Sequence, residues 1–280
     1  MSDSGGRTGI DRRTFIRRAS IAGAVAWTAP VLLDSLMSPA AAASVGKFST
    51  GEVVSSTSSK AGTQPGATGG FTNAVSSSQV VIILIAASWP NDGSNAQAVS
   101  SITGPFSSTT LIQTMASSNG PWLQQGSGST GSNTAYSHHM YAYYAVGNNT
   151  TTAVKVAFTK APNRATVTAF TVSGATTSGP IGSKSTASDT SSPYATPTFN
   201  IGGATAGRAM VAFGALSDTG AGVSWTPPTG FTELADLSAT DAAQSNGNID
   251  MAAAFGPAAA STSAGAAVAN PWATIAFEIK

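Results

Sequence analysis

Residues 79–87 (QVVIILIAA) are apolar at almost every position, without the alternation of a half-buried strand, which predicts a central β-strand buried on both faces. Val154, Val156 and Phe158 alternate with Lys155, Ala157 and Thr159. After the turn signal Ala161-Pro162-Asn163-Arg164 the alternation resumes in Thr166, Thr168, Phe170 and Val172, so a hairpin with one core face is predicted. The other apolar runs are short and separated by Gly, Ser, Thr, Asn and Pro, and no segment carries helical periodicity. The pattern predicts an all-β antiparallel chain. Residues 173–200 have little apolar periodicity and read as a crossing connection.

The pattern also repeats. Residues 80–88 (VVIILIAAS) recur as 209–217 (AMVAFGALS), and Ile102-Thr103-Gly104-Pro105-Phe106 parallels residues 225–231 (WTPPTGF). Leu111-Ile112 parallels Leu234. Residues 140–145 (MYAYYA) match 251–256 (MAAAFG), and 165–172 match 273–279 with Phe170 and Phe277 coincident. Matches in one order along the chain predict two related halves, about 79–174 and 208–280, joined by 175–207. The second half is short, and alone it would leave a raw apolar edge, so both are expected to pack as parts of one β-sandwich within residues 44–280. This pattern resembles the jelly-roll or concanavalin-like sandwiches of secreted bacterial and phage-associated proteins, in which a segment like Trp225 to Phe231 recurs. The resemblance implies the fold and assigns no activity.

The first 44 residues differ from the rest. Arg12 and Arg13 stand two residues before Phe15 and Ile16, ahead of an apolar stretch that Gly23, Pro30 and Asp34 interrupt. The stretch is too broken for a permanent membrane span, and none is expected. Ala41 and Ala43 fit the small-x-small rule of signal peptidase. The segment resembles a twin-arginine export signal, residues 1–43, and the resemblance implies recognition by the twin-arginine translocase, cleavage between Ala43 and Ser44, and a secreted product. Trp27-Thr28-Ala29-Pro30 resembles the signals of secreted actinobacterial proteins.

Composition then removes whole classes of chemistry. The chain of 280 residues has no cysteine, which excludes disulfides, thiolate metal sites and a thiol nucleophile. Residues 45–280 carry eight basic and nine acidic groups, a balance with no electrostatic footprint for nucleic acid or anionic lipid, so neither partner is expected. His138 and His139 are the only histidines, and neighbours on a strand point to opposite faces, so no metal and no cofactor are expected. Residues 126–131 match a dinucleotide-binding glycine pattern but follow no apolar strand and open no helix, which makes the match fortuitous. Glu233 and Asp236 are three apart, so a regular strand would place them on opposite faces; nearly all of the nine acids read as solvated surface charges.

Two places remain as candidate binding surfaces. If Met140, Ala142 and Tyr144 face the core, then His139, Tyr141 and Tyr143 share the other face, where an exposed aromatic row would suit sugar rings. The competing expectation is that residues 173–200 cover this row and make it ordinary core. Loop aromatics are the second place: Trp89 beside Asp92, and Trp225. The sequence therefore reads as a secreted, non-catalytic β-sandwich that binds polysaccharide or cell-wall glycan. A structural, self-associating surface protein is one alternative, and a hydrolase using His139, Asp92 and Asp218 is another.

Overall fold

The structure, a computed structural model, describes residues 44–59, 63–90, 98–117, 120–121, 123–125, 136–190, 195–218, 225–240, 247–263, 265–266 and 270–280. The proposed signal residues Arg12, Arg13 and Ala43 lie outside these, and Ser44 opens the first strand. No helix occurs among the described residues. The first half contains β1 (Ser44–Val45), β2 (Phe48–Ser58), β3 (Val80–Pro90), β4 (Val99–Thr103), β5 (Phe106–Thr114), β6 (Ala116–Ser117), β7 (Gly120–Pro121), β8 (Leu123–Gln125), β9 (Tyr136–Gly147), β10 (Lys155–Phe158) and β11 (Arg164–Ser173). The second contains β12 (Ile181–Asp189), β13 (Thr198–Asn200), β14 (Ala209–Asp218), β15 (Trp225–Thr226), β16 (Thr232–Ala239), β17 (Asn248–Pro257), β18 (Ser261–Ser263), β19 (Gly265–Ala266) and β20 (Trp272–Ile279).

These strands form an antiparallel β-sandwich, one sheet from each half. The first sheet runs β1-β2-β11-β3-β9-β5, with β8 also on β9, and the second runs β12-β20-β14-β17-β16. The orders correspond strand for strand: β2 with β12, β11 with β20, β3 with β14, β9 with β17 and β5 with β16. Registers agree as well. Met140 lies opposite Ala86 and Met251 opposite Ala215, while Phe170 lies opposite Ile82 and Phe277 opposite Val211. The halves are therefore longer than the sequence echo suggested, because each begins with an edge strand. Residues 175–207 are more than a connection: they hold β12 and β13. Both edge strands β2 and β12 are rich in Ser and Thr and only partly buried, so no apolar period marks them.

Three apolar layers result. Between the sheets, Val80, Ile82, Leu84 and Ala86 of β3 meet Val211, Phe213 and Ala215 of β14. The opposite face of β3, Val81, Ile83, Ile85 and Ala87, packs under Phe71, Val75, Val154, Val156 and Phe158, from the segment before β3 and the paired strands β4 and β10. The outer face of the second sheet is covered in the same way by β13 paired with β18 and β15 paired with β19. Residues 80–87 have no solvent exposure, as the uninterrupted apolar run predicts, and burying each of its large aliphatic side chains stabilises the fold by about 2 kcal/mol.

One buried charge ties the second half together. Glu278 near the end of β20 is fully buried and meets Arg208 Nη1 at 2.8 Å. It also accepts the Thr205 N–H at 2.6 Å and the Ser183 N–H at 3.2 Å. Gly182 is required here, since a Cβ would lie 2.5 Å from the Glu278 carboxylate. Desolvation pushes this carboxyl up, but the Thr205 amide, Arg208 and the Ser183 amide outweigh it and hold it below 4.5. Glu278 and Asp250, both fully buried, are thus exceptions to the expectation that nearly all the acids are surface charges. Glu278→Ala is expected to cost about 3 kcal/mol in a denaturant titration at neutral pH, since it leaves Arg208 and two amides unmatched. A depressed folded pKa gives stability that is complete above 4.5 and lost as pH falls through the folded value. Glu278→Gln should therefore flatten the acid limb of the stability curve. An unchanged limb would show that the clamp carries no charge.

Candidate functional site

The predicted aromatic row exists and is covered. In β9, Met140 and Ala142 face the other sheet, which turns His139, Tyr141 and Tyr143 to the outer face. Trp89 meets the His139 ring edge-on at 5.0 Å, His139 stacks with Tyr141 at 6.3 Å, and Tyr141 with Tyr143 at 6.5 Å. Trp89 Nε1 donates to the Lys160 carbonyl at 2.8 Å, and the Tyr141 hydroxyl lies 3.4 Å from His139 Nδ1. His139 and Tyr141 are each only 4% exposed, and Trp89 is fully buried. The cover is not residues 173–200 but the segment around Phe71 and Val75 together with β4 and β10. Tyr143 is half-buried beside Leu111 of β5, its register partner. Burial lowers the His139 pKa to about 4 and raises those of Tyr141 and Tyr143; the Tyr143 charge adds to the rise at Tyr141. This row is core rather than groove.

The equivalent face of the second sheet is different. Where the first half has Tyr141 and Tyr143, the second has Ala252 and Ala254, and a small apolar hollow of about 10 Å³, the room of a single water, lies over them. Ala212, Ala252 and Ala254 floor it; Phe199, Trp225, Pro227 and Pro228 wall it. Trp225 can lie against the sheet because Gly214 has no side chain: a Cβ there would come 2.4 Å from the indole. The indole is 4% exposed, and its Nε1–H has no hydrogen-bond partner among the described residues.

The rim carries the chemistry that the strand period conceals. Glu233 pairs with Ala254 and Ala235 with Ala253, so Leu234 is an extra residue, a β-bulge. Leu234 and Ala235 both turn into the sandwich core, and Asp236, opposite Ala252, returns to the outer face. Glu233 and Asp236 therefore share one face, contrary to the expectation from regular spacing. The first sheet has the same bulge, with Ile112 extra between Leu111 and Gln113. There the corresponding positions are Leu111 and Thr114, opposite Tyr143 and Tyr141. Asp236 Oδ2 accepts the Trp225 N–H at 3.3 Å. Partial desolvation, and then the Asp236 charge, raise the Glu233 pKa.

Asp92 lies outside the described residues, and His139 faces away from the second sheet, so the His139, Asp92, Asp218 grouping is not assembled among the described residues. A serine–histidine contact that the sequence reading missed occurs between the sheets: Ser217 Oγ lies 3.3 Å from His138 Nε2. Both are fully buried beside Ser88 and Arg164, which share the register row of His138, so no substrate reaches them without opening the sandwich. Among the described residues, no three His, Asp or Glu side chains gather as metal ligands.

The lowered His139 pKa makes a prediction. Between 6.5 and about 4 the unfolded chain binds a proton that the folded chain refuses, so stability falls as pH falls through this window, by about 3 kcal/mol in all. His139→Phe, which keeps a ring between Trp89 and Tyr141, should remove that slope in urea titrations over the same range; a slope unchanged in the variant would place the proton elsewhere. No protein family, curated protein or solved structure matches this chain, so what the site does rests on its own geometry.

Proposed function

We propose that this chain is an exported, non-catalytic β-sandwich that binds carbohydrate of a polysaccharide or cell envelope, with the Trp225 hollow as its seat. Export rests on the Arg12-Arg13 segment and the Ala43/Ser44 boundary. The observation that carries the binding reading is the hollow itself. It has an alanine floor and an indole wall with an unmatched N–H, with the Glu233 carboxylate at its edge and Asp236 on the same face of β16, bonded to the Trp225 N–H. A sugar ring has complementary surfaces: an apolar face for the floor and indole, an oxygen to accept from Trp225 Nε1, and hydroxyls to donate to Glu233 and Asp236. Tyr141, under its cover, serves packing.

The carboxylate pair favours a second reading. A glycoside hydrolase needs one carboxyl held protonated beside a second carboxylate, and burial and the neighbouring Asp236 charge bias Glu233 towards the protonated form. One experiment separates the two. The full chain is titrated with a panel of polysaccharides and cell-wall glycans, and new reducing ends are measured in the same samples. Binding without reducing ends is the expected result. Ala252→Tyr, which restores the ring present in the first half, should abolish that binding while thermal unfolding stays unchanged. Reducing ends that vanish in Glu233→Gln would replace the binding reading with the hydrolase; no binding to any panel member would overturn the carbohydrate reading.

A further inference from the structure

We infer that the inner face of each sheet also fits the opposite half of a second copy of this chain, exchanged through a hinge at Gly174. The first support is the division of the strand pairing. Every β-ladder among the described residues joins strands of one half only, so no ladder holds residues 176–280 to residues 44–173. What joins the halves is the apolar layer of Val80, Ile82 and Leu84 against Val211, Phe213 and Ala215. Side-chain bonds add to it, from the Ser88 hydroxyl to the Gly247 carbonyl and from Lys184 to the Ile112 carbonyl. These contacts form equally well whether the two sheets belong to one chain or to two.

The joint between the halves is the second support. The Thr176 N–H donates to the Lys280 carbonyl and the Lys280 N–H to the Pro180 carbonyl, so residues 176–180 travel with the second half. Ser173 ends β11 in the first, which leaves Gly174 and Ala175 to make the crossing. Gly174 has a φ of 82°, and a Cβ there would run into the Lys47 carbonyl oxygen, so the closed chain turns through a bend that only glycine accepts. Gly174 is exposed. Short joints held in such bends favour exchange, because opening relieves the bend while the buried contacts are remade with the other copy. The sheet edges are the third support. Strand-to-strand association is opposed by the bulges in β5 and β16 and by Lys184 on β12, whereas exchange of halves needs no free edge.

The test uses the full chain with a protease recognition sequence inserted between the exposed Thr177 and Ser178, which leaves the Gly174 joint as it is. It is unfolded in urea and refolded at about 10 μM and at about 1 mM, the second being on the order of the effective concentration that a short flexible joint imposes on its own ends. Size exclusion with light scattering reads the mass. A dimer should form at the higher concentration and persist on dilution, since its reversal requires the buried sheets to part. Gly174→Ala should raise the dimer fraction several-fold. Protease should then convert the dimer to particles of monomer mass, because each sandwich holds one half from each chain and the cut removes the covalent link between them. A dimer joined by outer surfaces keeps its mass after the cut, and that result would overturn the inference. Monomer alone after refolding at about 1 mM, with the Gly174 joint intact, would overturn it as well. Either outcome leaves the carbohydrate reading untouched.

Discussion

A strand that is apolar on every residue cannot end at a single buried face. The run at 80–87 has no exposed residue, and its counterpart in β14 is likewise buried on both sides, so each sheet needs a partner inside and a cover outside. Sheet-on-sheet packing supplies the first. The second comes from the chain between the main strands, which folds back as narrow ribbons: β4 with β10 over one sheet, β13 with β18 and β15 with β19 over the other. What fills the space under each cover then decides whether that face is core or site.

Duplication makes this comparison internal. The two sheets share strand order, register and even the bulge in β5 and β16, so differences between equivalent positions show what each half has specialised for. Under the first cover, Trp89, His139, Tyr141 and Phe158 interlock at ring distances of about 5–6 Å, which suits edge-on and offset packing. Beneath the second, alanines replace the two tyrosines, a glycine replaces Ile85, and a tryptophan comes down from the cover to lie on that glycine. The first half gains packing; the second keeps a hollow with polar groups at its edge.

Much of the fold was legible because hydrophobic burial writes itself into the sequence with a simple period. The central strands β3 and β14 and the repeat were visible from apolar spacing, but the hairpin expected from residues 154–172 does not form: β10 pairs with β4 in the cover, while β11 lies between β2 and β3 and is buried on both faces. The edge strands β2 and β12 were not visible, since their positions are mostly half-buried Ser and Thr and their pairing is held by backbone hydrogen bonds that leave no side-chain signature. The site was less legible for a related reason. A bulge shifts the strand period by one residue, and the only trace of it in the sequence is that Leu234 and Ala235 are two apolar neighbours where alternation calls for one. Without that shift Glu233 and Asp236 fall on opposite faces. Glu278 escaped for another cause, as its partners Arg208, Thr205 and Ser183 are distant in sequence.

A hollow lined by alanines is a cost in a fold built by burial, because each missing ring forgoes contacts that its equivalent makes in the other half. The scaffold tolerates it in one half only. The sandwich core is continuous across both sheets, with Met140 and Ala142 on one side and Met251, Ala253 and Phe255 on the other, so stability lost under the second cover is offset by packing that both halves share. Glu278 and Arg208 act in the same direction, pinning the start of β12 and the segment before β14 to the end of β20. The duplicated sheet with its aromatics sealed is therefore the structural counterpart that lets the other carry a buried indole N–H with no partner among the described residues, a group that costs stability.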